Sequence, residues 1–216
     1  MEFAANGFKT VAIDFTYQGS LKLFFALLPD QDLVRLDDGG SDEIVVSGVE
    51  LFDGYELSRK AAFRELLADK AESPFPQDKI VVADVASGDM ELKQLLLAHC
   101  DIHVCAITPS PVAVASLAKT DQDTPLTELR NTVLVLNMLD DTRTLSRHSH
   151  VFVRSTFEHL LGGTVRYDEN VAVATASFEH LASMFPNCAV LSDIRKFSDI
   201  LVQKCGLADR LASEPE

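Results

Sequence analysis

An α/β fold, with a mostly parallel sheet covered by helices on both faces, is predicted for this 216-residue chain by three observations. Short apolar, β-branched runs alternate with helical patterns,. Each main run ends in a polar or turn-forming residue, the place where open α/β sheets carry their ligands. The stretches joining the runs read as helices, which parallel strands need as crossovers. A hydrophobic content of 47% fills a sizeable core,. With no repeat or linker to divide it, 1–216 reads as a single domain with a frayed tail over 206–216.

Lys9–Phe15 (KTVAIDF) is the first strand, and Gly19–Leu28 follows with helical spacing. Glu43–Ser47 is a second short strand. Glu56–Lys70 sets Leu57, Ala61, Phe63, Leu66 and Leu67 along one stripe, predicting one helix that Ser73-Pro74-Phe75-Pro76 stops,. Ile80–Val85, Ile102–Thr108 and Thr132–Asn137 are expected strands, separated by helices over Met90–His99 and Pro111–Lys119. A long helix over Thr144–Leu161, a short strand at Val165–Tyr167, and helices over Val171–Phe185 and Asp193–Cys205 complete the chain.

A formal charge of −14 argues against broad nucleic-acid binding, which needs clustered Lys and Arg,. Four cysteines in a chain this long do not form a disulfide framework,. Met1–Gly7 lacks the basic and apolar regions of a signal peptide, and no apolar run is long enough to span a bilayer, so a cytoplasmic protein is expected,. His99, Cys100, His103 and Cys105 cluster in sequence, but their spacing fits no zinc motif,. The last helix aligns Phe197, Ile200, Leu201, Cys205 and Leu207, while Lys196, Lys204 and Arg210 are matched by Asp193, Asp199 and Asp209. That balance favours core packing over membrane insertion.

The strand ends carry the candidate chemistry: Asp14, Asp84, Thr108-Pro109 and Asn137. Thr10–Leu21, Ile80–Gly88, Ala106–Leu117, Val133–Met138 and Val165–Ala176 together, in this order, resemble segments of the ParA/MinD ATPase superfamily. The resemblance covers about Asn6–Cys205. It extends to the cellulose-operon BcsQ/YhjQ branch through Leu96–Asp101 and the Arg-x-Asp-Glu run at Arg166–Glu169. It implies that Asp14 and Asp84 serve the two switch segments as catalytic groups, with Asp84 ordering Mg²⁺ and Gly88 in the second switch. It also implies that Asn137, Thr108 and Pro109 hold the base of ATP. Plainer readings stand beside these: Asp84 as a cap for the helix starting at Ser87–Met90, Asp14 as a solvent-facing strand end, and Pro111 at the first position of a helix. Met138 stands where the family often has a basic residue, which weakens the adenine reading.

The phosphate-binding Walker A loop of that family, a Gly-rich turn with lysines, has no match here. Gly39-Gly40 runs into Ser41-Asp42-Glu43, and Gly162-Gly163 into Thr164-Val165. Phe3–Gly7 resembles the end of the helix that follows the loop, with Gly7 as its left-handed cap,. By that comparison the first strand and roughly two dozen residues are absent, leaving central sheet backbone unpaired. Either the gene product starts upstream or the protein has become a non-ATPase; survival of Asp14, Asp84 and Asn137 favours the former. ATP and Mg²⁺ are therefore cofactors of the family that this chain is not expected to bind as it stands. The implied function is that of a cellulose or exopolysaccharide secretion accessory, acting as a homodimer or with secretion components at the inner membrane, without inserting into it. The alternative is a MinD-, FlhG- or TadZ-type scaffold that positions a pilus, flagellum or septum.

Overall fold

The computed structural model describes residues 1–37, 43–117 and 131–207, so Gly39-Gly40, Lys119 and the tail beyond 207, with Asp209 and Arg210, lie outside the described residues. The chain forms two compact units, Met1–Cys100 with Val173–Met184, and Asp101–Ala172 with the residues from Phe185.

The first unit is built on a five-stranded sheet. Strands β1 (Thr10–Asp14), β2 (Val34–Arg35), β4 (Val49–Asp53) and β5 (Ile80–Asp84) run parallel in the order β2-β4-β1-β5, and β3 (Ile44–Val46) pairs antiparallel with β4. All five residues of β1 are buried because strands flank both its edges. Alternation along β1 then divides the core. Val11, Ile13 and Phe15 meet Phe63 and Leu67 of α3 (Ala61–Ala68) and Leu92 and Leu96 of α4 (Met90–Leu97). Ala12 instead joins Phe25, Val49 and Leu51, with Ala4 of α1 (Glu2–Ala5) packed against them. Helix α1 closes as expected: Gly7, at φ +89°, donates to Ala4 O and Phe8 to Phe3 O, the paired bonds of a Schellman cap,.

The single helix expected over Glu56–Lys70 is two, α2 (Tyr55–Ser58) and α3. Lys60 is extended at ψ 128° and pairs with Asp37, while Arg64 Nε donates to the Ser58 carbonyl at 2.8 Å. Tertiary partners for a cation and a freed carbonyl thus outweigh continuous helical spacing. Strand β4 was not legible as a separate element from its composition. It is reached through a hairpin at Ser47-Gly48, both at positive φ (51° and 76°), the geometry of a type I′ turn,.

The second unit holds a parallel sheet of β6 (His103–Ile107), β7 (Thr132–Leu139) and β8 (Leu161–Arg166) in that order. Leu134 and Leu136 face Val153 of α6 (Thr144–Phe157) and Leu117, at the end of α5 (Pro111–Ser116). Helix α9 (Ala189–Lys204) packs on β8 and buries Leu201. The helix expected to reach Leu161 stops at Phe157, and the strand expected at Val165 begins at Leu161. Gly162 and Gly163 hid that strand, since glycine carries little strand propensity. Their role is close approach: a Cβ on Gly162 would lie 2.3 Å from Val133 Cγ1 and 3.1 Å from Phe197 Cε2. The helix expected over Val171–Phe185 is likewise divided into α7 (Glu169–Ala176) and α8 (Leu181–Met184). Phe178, at φ +52°, closes α7: its N–H donates to Thr175 O and that of Glu179 to Ala174 O, Schellman-type bonds at a stop signalled by no glycine,.

Among the described residues, β5 is paired only with β1, and β6 only with β7. Both therefore present an open parallel edge, with Val82 42% and Val104 39% exposed. None of the four cysteines is in a disulfide, and no helix of the described residues is long and apolar enough to cross a membrane.

Candidate functional site

In the first unit, the parallel register sets Asp14 directly beside Asp84 at the carboxyl ends of β1 and β5. The two acids have opposite environments. Asp14 is 1% exposed, and its carboxylate organises the loop that follows. Oδ1 accepts from Thr16 N at 2.8 Å and Thr16 Oγ1 at 2.6 Å, and Oδ2 accepts from Leu21 N at 3.0 Å. A buried carboxylate is tolerated because three donors replace its water. The solvent-facing reading of Asp14 is thus corrected: the residue folds the segment leading to the 3-10 turn at Leu21–Phe25.

Asp84 is half-buried, and among the described residues no donor or cation pairs with its carboxylate. Burial pushes its carboxyl above the usual range, and the charge of Asp14 adds to the rise,. Nor does Asp84 cap the next helix. Asp89 does so, its Oδ1 accepting from Leu92 N at 3.1 Å. Gly88 lies in the turn just before, where Asp89 N donates to Ala86 O. The N-terminus of α4 is thereby occupied by the chain's own carboxylate.

In the second unit, a cleft of about 460 Å³ opens at the carboxyl ends of the three strands. Thr108, Pro109, Met138, Arg143, Leu145 and Tyr167 contribute to its walls. Its rim is built by caps and turns. Ser110 Oγ accepts from Ala113 N at 3.2 Å, with Pro111 at the first helical position, as the plainer reading expected,. Arg143 is paired with Asp140 at 2.9 Å, and Ser146 Oγ accepts from Asp140 N at 2.9 Å. Asn137 and Met138 form a bulge: Leu136 pairs with Thr164 and Leu139 with Arg166, one residue more on β7 than on β8,. Met138 takes φ +58°, and Asn137 Oδ1 accepts from its N–H at 2.9 Å. Met138 lines the cleft, and Asn137 is not among its lining residues. Sequence reading located Thr108 and Pro109 but missed Tyr167, Leu145 and Arg143, since nothing local signals a bulge or a cleft wall.

The Arg166–Glu169 run has a structural role here. Arg166 forms a bidentate pair with Asp193, at 2.7 and 2.8 Å. The buried Cys188 thiol donates to Asp168 Oδ2 at 3.1 Å, and this bond helps hold the Asp168 carboxyl below its usual range. His99 Nε2 is engaged by Leu67 O at 2.8 Å and His103 Nδ1 by Thr132 Oγ1 at 3.3 Å. Among the described residues no group of three potential ligands is placed to hold a metal.

The cleft suits a flat, largely apolar ring, with hydroxyls and a neutralised guanidinium at its edge. The strand-end acids of the first unit would repel bare phosphate and could meet it only through a bridging cation, and the N-terminus of α4 is capped by Asp89,.

No family model and no curated protein matches this sequence. Solved structures share its fold. A plasmid partition protein of Borrelia burgdorferi bound to AMPPNP aligns with a TM-score of 0.65 at 16% identity, over 94% of this chain and 89% of that one. The MinC:MinD cell division complex of Aquifex aeolicus gives 0.62 at 14% identity, over 94% and 86%. A Cyanothece McdA–ATP complex gives 0.64 at 14% identity, over 95% and 88%. The fold is that of ParA/MinD-type P-loop ATPases, and at these identities the likeness speaks to fold alone.

Proposed function

We propose that this chain is a ParA/MinD-type positioning or scaffold protein that binds protein partners and does not itself hydrolyse ATP. The observation that carries the reading is the Asp14–Asp84 pair. One carboxylate is consumed in folding its loop and the other stands without a cation among the described residues. Phosphate brought to those strand ends without a cation would meet net negative charge, and Asp14 is already engaged by Thr16 and Leu21,. Asp14 and Asp84 are then inherited switch positions of the first unit, and Thr108, Pro109 and Met138 a base-type cleft of the second.

The system we propose is secretion of bacterial cellulose or a related exopolysaccharide, from the likeness of Leu96–Asp101 and Arg166–Glu169 to that branch. The protein would work in the cytoplasm, as a homodimer or with secretion components at the inner membrane. Placement of a septum, flagellum or pilus is the second reading, supported by structural neighbours that are partition and cell division proteins, one of them held with its partner MinC. Calorimetric titration with Mg-ATP tests the shared premise. No binding heat is expected up to millimolar nucleotide. Micromolar affinity, with hydrolysis lost in Asp84→Asn, would overturn it.

A further inference from the structure

Strand β5 ends the sheet of the first unit, yet it is built like an interior strand. Phe15 N donates to Asp84 O at 2.9 Å and Ile80 N to Lys9 O at 2.8 Å, so Ile80 and Asp84 turn their backbone groups toward β1. Alternation turns the N–H and C=O groups of Val81 and Ala83 to the other side, where they have no partner among the described residues,. The side chains beside that edge are bare on both faces of the sheet. Val82 is 42% exposed although its register neighbour Ala12 is 4% exposed. On the opposite face Ala83 is exposed beside Ile13, itself buried. None of the devices that blunt a solvent-facing edge is present: β5 has no proline, no bulge against β1 and no charge before Asp84,.

We infer that the free edge of β5 takes up an extended apolar segment of a partner protein as an added strand, with a lysine or arginine at the end that meets Asp84. Geometry selects a strand. A helix laid on the sheet would cover one face and meet no backbone group, whereas a strand reaches Val82 on one face, Ala83 on the other, and the unpaired groups between them. A strand covered on both faces is apolar throughout, like β5 itself,. Charge selects the end residue, because the half-buried Asp84 carboxylate has neither donor nor cation among the described residues. A second copy does not supply that cation: Lys79, which precedes its own β5, is paired with Glu50 at 2.7 Å. The inference rests on the proposed reading only in taking a protein as the partner. Strand addition and nucleotide binding are measured separately, so either can fail alone.

Fluorescein-labelled peptides of about six residues, a common strand length, test it by fluorescence anisotropy with the full chain. They share one run of valine and threonine and carry either Lys or Glu at both ends. The Lys peptide is expected to bind at least about fivefold more tightly, and Asp84→Asn should remove most of that preference. Methylating the peptide's backbone amides, which keeps every side chain and removes the donors, should abolish binding. Ala83→Pro takes a donor from the free edge and none from the β1 ladder, and should weaken the Lys peptide about tenfold with circular dichroism unchanged. Hydrogen exchange at Val81 and Ala83 should slow when the peptide binds. The methylated peptide needs no altered protein, so it decides the matter even if Ala83→Pro does not fold. Undiminished binding of the methylated peptide, indifference to Lys or Glu ends, or preference for a leucine-striped helical peptide with the same ends would overturn the inference. So would protection of those amides that rises with protein concentration alone, the mark of a second copy.

Discussion

Replacing Asp84 by Asn is expected to stabilise the protein at neutral pH, an unusual direction for a residue at a candidate site. Neighbouring parallel strands lie about 5 Å apart. Two unit charges at that distance repel by roughly 0.8 kcal/mol in water and about 3 kcal/mol at an effective dielectric of 20. Because Asp84 is half-exposed, the lower end applies, and a gain on the order of 1 kcal/mol is expected. The pH dependence has a definite sign. The folded-state carboxyl titrates above its ordinary value of 3.8, through burial first and Asp14 second. Between those two values the native state binds more protons than the unfolded one, so this residue's contribution falls as pH rises. The advantage of Asp84→Asn should therefore be full at pH 7 and vanish near pH 3. Urea denaturation of both proteins at several pH values measures it as a difference. The difference matters because Asp168 and Asp193, held low by Cys188 and Arg166 respectively, lose stabilising contributions as pH falls in either protein. Asp14→Asn should behave oppositely. Whichever oxygen becomes the amide, a donor then faces Thr16 or Leu21, costing about 1–3 kcal/mol,. Destabilisation by Asp84→Asn at pH 7, or a gain that does not vary with pH, would refute the claim that the two carboxylates repel.

Gly162→Ala should cost about 1–3 kcal/mol in urea denaturation, because its methyl group would meet Val133 at 2.3 Å on a sheet already covered by Phe197,. A loss below half of that would mean β8 and α9 can separate without penalty. Val82→Lys, on the open edge of β5, should suppress light scattering during refolding while changing stability by no more than about 0.5 kcal/mol,. Undiminished scattering would place the aggregation-prone surface elsewhere.

The parallel strands and the main helices were legible because apolar periodicity is dictated by the faces they bury, as with Val11 and Ile13 against Leu67 and Leu92,. What escaped was decided by contacts distant in sequence. The break between α2 and α3 depends on Asp37 meeting Lys60, and the length of β8 on a glycine pair pressed against Val133. The Ser47-Gly48 turn carries a glycine but none of the dipeptides that mark a two-residue hairpin, so β4 stayed hidden behind β3,. Of the candidate site, the positions of the strand-end residues were legible, but their environments were not. Nothing in TVAIDFTYQG distinguishes an Asp buried under Thr16 and Leu21 from one facing water.

That difference in environment decides what the strand ends can do. A carboxylate can order an ion only through lone pairs its protein donors leave open, and Asp14 already accepts three hydrogen bonds, two from the backbone,. Releasing it would unfold the start of the 3-10 turn at Leu21–Phe25, which buries Phe25 against Ala12, Val49 and Leu51. Asp14 is thus coupled to the core of its own unit. Asp84, with no donor among the described residues, is the group whose charge can change without that cost. Any ligand-driven response of the first unit should therefore register at Asp84, as a fall in its carboxyl's titration point when a cation approaches, while the Asp14 loop stays closed.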